Sequence, residues 1–236
     1  YGAFVLIGGA SSILVSKVDM MMIGKLMDLE QVAYYTIAFF IGNVILVPAR
    51  SVGSITAPLL SKAWNKNNID EINTIYKKSS INQLLFGGLL FLIICLNIDE
   101  GLSLLPEKFQ GGKYVVFYIA LSKLFSVATG VNGQIIVNSQ YYRFDLYSNI
   151  ILLIITVFSN YIFIPETSPL SEYNIVGING AAFATALSVV LFNIFKMFFV
   201  KVKIGIHPFS FNTLRAITLI IITFYIVSSI TFQDSL

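Results

Sequence analysis

Seven long apolar stretches, at about 3–24, 32–58, 81–98, 114–137, 146–164, 177–199 and 213–232, constrain this chain more than any other feature. A helix needs roughly 20 apolar residues to cross about 30 Å of hydrocarbon, and inside lipid its backbone groups must be satisfied within the segment. Most of the runs are apolar on all sides, which excludes the alternation of barrel strands. Charge supports this reading: 11% of the 236 residues are charged and 56% are hydrophobic, whereas a soluble domain carries about 25% charged residues. A soluble enzyme, a disordered chain and a nucleic-acid-binding domain are excluded on that ground. The single cysteine, Cys95, lies in an apolar run, so neither an internal disulfide nor a cysteine-based metal site is expected.

The polar segments between the spans set an orientation. Lys62, Lys66, Lys77, Lys78, Arg143, Lys196, Lys201, Lys203 and Arg215 fall on one side, and Lys25, Lys108 and Lys113 on the other. Basic residues favour cytoplasmic loops, so the chain is expected to start inside and end outside. It opens at Tyr1, almost directly in a span and without a signal-peptide pattern. With an odd number of spans, this reads as part of a longer membrane protein.

Setting aside Lys196 and Arg215, which flank the loop between the last two spans, four charges fall within spans: Lys17 and Asp19 in the first, Arg50 in the second and Lys123 in the fourth. Each costs at least about 2.5 kcal/mol facing lipid near the bilayer centre, so each should face protein or a water-filled cavity. Arg50 and Lys123 are the deepest, and a guanidinium can bind phosphate in a bidentate manner. They are the candidates for an anion-receiving cavity; the plainer alternatives are that Lys17 snorkels outward and Lys123 pairs with Asp19. Asp19 itself reads equally as a proton or cation site and as a helix-end anchor.

Amides recur in the spans as Asn43, Asn132, Gln134, Asn149 and Asn160. They could line a sugar-binding cavity, with Asn43 and Gln134 the candidates, or serve as interhelical hydrogen bonds. Pro48 and Pro58 are expected to kink the second span. Gly177, Ala181 and Thr185, with Gly180, Ala184 and Ser188 on a neighbouring stripe, form a face for close helix packing. No metalloprotease, hydrolase or Walker pattern occurs, so no cofactor, metal or enzymatic activity is expected. His207, beside Pro208, reads as a surface residue.

Val18-Asp19-Met20-Met21-Met22-Ile23-Gly24, followed by Val32-Ala33-Tyr34-Tyr35-Thr36-Ile37-Ala38, resembles the seventh and eighth helices of bacterial polysaccharide flippases of the O-antigen and capsule type. Ala33 stands where that pattern usually has glycine. Pro58-Leu59-Leu60-Ser61-Lys62 is similar to the end of the family's eighth helix. The run from Asn149 to Pro165, then Gly177-Ile178-Asn179-Gly180-Ala181-Ala182-Phe183-Ala184-Thr185-Ala186-Leu187-Ser188, is similar to a further family signature.

The resemblance implies the multidrug/oligosaccharidyl-lipid/polysaccharide exporter superfamily, with two six-helix bundles around a central cavity. The fold expected is an all-α polytopic transmembrane bundle of about seven spans. Residues 1–205 would be the second bundle, helices seven to twelve, and residues 206–236 an additional helix; the N-terminal lobe would be a partner in the same protein. The implied activity is moving an undecaprenyl-diphosphate-linked oligosaccharide across the bacterial inner membrane by alternating access, alongside polysaccharide assembly proteins. In that scheme Arg50 and Lys123 meet the diphosphate, Asn43 and Gln134 face the sugars, and Asp19 is a candidate for ion coupling.

A multidrug antiporter of the same superfamily is the nearest alternative, though an organic-cation cavity would favour acids over the three embedded bases. A membrane-embedded polysaccharide polymerase or glycosyltransferase would call for a larger outer loop than Asp99–Lys113. A seven-helix receptor would place its N-terminus outside.

Overall fold

The computed structural model describes residues 17–233, with side chains described to residue 229. Helix α1 covers residues 17–26, and the remainder of the first expected span, residues 3–16, lies outside the described residues. There follow α2 (Leu29–Asn43), α3 (Val47–Asn65), α4 (Ile69–Leu96), α5 (Ile98–Ser103), α6 (Lys113–Ala128), α7 (Asn132–Val137), α8 (Tyr142–Phe163), α9 (Gly177–Ile204) and α10 (Phe211–Gln233). Among the described residues, five helical segments are long and apolar enough to cross a membrane: the α2–α3 rod, α4, α8, α9 and α10.

The second span is interrupted by a 3-10 turn, and proline chemistry explains its position. Pro48 has no N–H to donate to the Val44 carbonyl four residues back. The N–H of Val47 takes that carbonyl instead, tightening Val44–Leu46 into a 3-10 turn between α2 and α3. Pro58, by contrast, lies inside α3, which continues through it to Asn65.

The fourth expected span, 114–137, is corrected: it is two helices, α6 and α7, separated at Thr129–Val131. Gly130 has φ +65° there, a left-handed conformation that stops the helix and favours glycine. The break is fixed against α4, because the Ser80 hydroxyl donates to the Ala128 carbonyl at 2.6 Å. A Cβ on Gly130 would lie 3.2 Å from the Ser80 backbone.

At their basic ends α4 and α9 run further than their apolar runs. The Asn68 side chain accepts from the Glu71 N–H and starts α4. Gly205, at φ +82°, closes α9 after Lys203. These extensions pack against α3 and α7, with Tyr76, Leu60, Ile135 and Val200 all buried in one cluster.

Helix α9 packs on both α6 and α8, α2 packs on α6, and α3 and α10 each pack on α4. The small-residue face of α9 makes the α8 contact possible: Gly180, Ala181, Ala184, Thr185 and Ser188 are buried. A Cβ on Gly180 would fall on the Phe163 carbonyl, which is backbone and cannot move aside cheaply. Gly180→Ala is therefore expected to destabilise the protein by about 1–3 kcal/mol. Gly101→Ala, with nothing within 4 Å, should be neutral. Thermal unfolding of the two variants in detergent checks the difference; equal melting temperatures would show that α8 and α9 are not in this register.

Candidate functional site: a buried carboxylate and a cationic cleft

Asp19 is 1% exposed, and three neighbouring helices hold its carboxylate. The Tyr35 hydroxyl of α2 donates to Oδ2 at 2.8 Å, and the Thr185 hydroxyl of α9 donates to the same oxygen at 2.6 Å. Asn160 Nδ2 of α8 donates to Oδ1 at 2.8 Å. These donors satisfy a charge that would otherwise be costly at this depth. The helix-end anchor alternative therefore fails to describe Asp19, which faces the bundle interior.

Two features of the cluster leave room for further chemistry. Asn160 is 0% exposed, and its Oδ1 has no hydrogen-bond partner among the described residues. Lys123 is half-buried on α6, where its charge acts on Asp19 electrostatically without closing a direct ion pair. Its ammonium lies 5.6 Å from the centroid of the Phe39 ring, a cation–π distance.

Arg50 lies elsewhere. It is exposed on α3 and lines a cleft of about 510 Å³ with Leu46, Ala49, Gly53, Ser54 and Gln134. A smaller cavity of about 270 Å³ adjoins it, sharing Gly53 and Gln134 and reaching Asn193 and Gln83. Gln134 is bound to α3 at both ends of its amide: Nε2 donates to the Gly53 carbonyl at 3.0 Å, and the Thr56 hydroxyl donates to Oε1 at 2.9 Å. One N–H and one lone pair of the amide remain for a ligand. Asn43 is half-buried, and its Nδ2 donates to the Phe39 carbonyl of its own helix at 2.8 Å. The structure thus brings Arg50 and Gln134 together, and Lys123 and Asp19 together, and places neither Lys123 nor Asn43 in the Arg50 cleft.

Other polar contacts were not legible from sequence. Lys196, which reads as a loop-flanking base, is 5% exposed and donates to Asp145 Oδ1 at 2.6 Å, joining α9 to α8. Asn149 Nδ2 supports Asp145 Oδ2 at 3.1 Å. One step along α9, Asn193 accepts from the Thr129 hydroxyl at 3.1 Å and donates to Ser126 Oγ at 3.0 Å, so α9 grips the α6–α7 break. Tyr35 and Thr185 were visible only as members of longer motifs.

The Lys196–Asp145 pair joins a buried ammonium to a half-buried carboxylate, so removing one partner strands the other. Lys196→Met is expected to destabilise the protein by about 3–5 kcal/mol, while Lys196→Met combined with Asp145→Leu recovers most of that loss. A thermal-unfolding double-mutant cycle measures the coupling; additive effects would remove the pair from the structural account.

Apolar helices packed around a sealed carboxylate, with a cationic cleft opening beside them, define a multi-pass helical membrane protein with a polar interior. The chain belongs to the MatE family, whose profile matches residues 6–162. Its fold is similar to the outward-facing conformation of a multidrug resistance MATE family transporter of the MOP superfamily, with a TM-score of 0.66 at 17% identity. The match covers 91% of this chain and 48% of that one, so the chain spans about half the length of that transporter. No curated protein matches the chain.

Proposed function

We propose that this chain forms one lobe of a membrane transporter that moves a lipid-linked oligosaccharide across the bacterial inner membrane by alternating access. The observation that carries the reading is Arg50 in the cleft beside Gln134. A guanidinium there offers paired donors to a diphosphate, and the spare amide capacity of Gln134 suits sugar hydroxyls. Lys123 of α6 and Asn43 of α2, which lie outside that cleft, would act on the substrate only after the lobe rearranges. MatE membership favours a transporter over a membrane-embedded glycosyltransferase or polymerase. A multidrug antiporter is the second reading, favoured by the description of the structural neighbour as a multidrug resistance transporter.

Asp19 is proposed as the coupling group. Beside it stand the hydroxyl oxygens Tyr35 Oη and Thr185 Oγ1, and Asn160 presents Nδ2 with its Oδ1 available on turning over, which suits either a proton or a small hard cation. An ionised Asp19 accepts from the Asn160 amide nitrogen. A protonated Asp19 can instead donate to the amide oxygen once that group turns over.

In cells that depend on the transporter for surface polysaccharide, Arg50→Ala is expected to lower export at least about tenfold with normal protein level. That corresponds to losing one bidentate charged contact of roughly 1.5–3 kcal/mol. Arg50→Lys should recover part of it, since the charge remains and the fork is lost. Polysaccharide blotting beside quantified membrane protein reads both. Unchanged polysaccharide in Arg50→Ala, with resistance to organic cations falling instead, would transfer the assignment to the multidrug reading.

A further inference from the structure

A further cavity shares no lining residue with the Arg50 cleft or with the Asp19 cluster. It measures about 640 Å³, within the range of small-molecule sites, and lies where the end of α4, the start of α6 and the outer half of α10 meet. Its lining is graded. Cys95, Phe117 and Phe224 supply an apolar floor at membrane depth, and Asp99, Glu100 and Lys113 a charged rim at the helix ends. On the charge bias of the loops, this rim faces the outer side.

The rim carries two carboxylates and one ammonium. Lys113 and Asp99 are paired at 2.5 Å with side chains 48% and 66% exposed, a pair weak enough to exchange partners. Glu100 is exposed, and ion pairing at this rim leaves it the unmatched charge among the described residues. The occupant must therefore be an amphiphile: hydrocarbon on the floor, a cationic group at Glu100 and an acceptor anion within reach of Lys113. Tyr114 and Tyr118 are also in the lining, and aromatic rings are suited to an ammonium.

We propose that this cavity binds one phospholipid with an ammonium-bearing head group from the outer leaflet. The ammonium meets Glu100, the phosphate meets Lys113, and an acyl chain lies over Cys95 between Phe117 and Phe224. Because α10 supplies one wall through Phe224 and Ser228, the bound lipid holds α10 against the end of α6. The assignment is independent of which substrate the protein transports.

Native mass spectrometry of the intact transporter, titrated with phosphatidylethanolamine or phosphatidylglycerol of identical chains, tests it. One phosphatidylethanolamine is expected to be retained, with phosphatidylglycerol bound about fivefold or more weakly. Glu100→Gln should abolish that preference, while Glu107→Gln, a carboxylate outside the cavity lining, leaves it intact. Cys95→Trp, filling the floor, should release the lipid without touching the rim charges. Equal binding of the two lipids, or a preference that survives Glu100→Gln or Cys95→Trp, would overturn the proposal.

Discussion

The burial of Asp19 is the constraint on which the rest of the bundle depends. A carboxylate at 1% exposure in an apolar bundle is tolerable only with its donors in place, and these come from α2, α8 and α9. Thr185 reaches it because Gly180, Ala181 and Ala184 let α9 approach closely; Asn160 reaches it because α8 rests on that same face. Tyr35 is fully buried at the core of the cluster that also contains Ile119 of α6. The small residues of α9 and the polar groups around Asp19 are therefore parts of one device, in which close packing brings the hydrogen bonds within range.

Much of this was legible in the sequence, for identifiable reasons. Hydropathy locates long helices because lipid demands continuous apolar runs, and α8, α9 and α10 match their expected stretches well. Hydropathy is silent about breaks that preserve it: Gly130 interrupts an apolar run without adding charge, so the α6–α7 division was missed. Pro48 announced the interruption between α2 and α3 because its missing N–H is a local fact. Lys196 reads as flanking a loop, but α9 runs on to Ile204, so this base sits about two turns before the helix end and reaches Asp145 of α8. Arg50 and Lys123 were both recognised as embedded charges, but their lodging in separate places is a tertiary fact that spacing does not encode.

That separation organises the proposed mechanism. Tyr35, which touches Asp19, and Arg50, which faces the cleft, lie on one continuous rod interrupted by the 3-10 turn at Val44–Leu46. Fifteen residues of helix put them about 22 Å apart along the axis. In this proposal a change in the charge of Asp19 would alter the hydrogen bond of the Tyr35 hydroxyl, and the 3-10 turn would be the point at which α3 swings relative to α2. The α6–α7 break at Gly130, held by Ser80 and Asn193, gives the facing wall of the cleft a comparable joint. Coupling of this kind needs two arrangements of the same contacts that differ by only a few kcal/mol.

The account rests on Asp19 changing its protonation or its partner cation while the protein stays folded. Infrared difference spectroscopy of the purified transporter, on a step in pH or in sodium concentration, observes that event directly through the carboxyl stretch. The expected result is a carboxyl band that changes with one of the two steps and vanishes in Asp19→Asn, accompanied by a shift in the amide band of Asn160 that is lost in Asn160→Leu. A spectrum identical in the parent protein and Asp19→Asn across both steps would contradict the account and reduce Asp19 to a structural node.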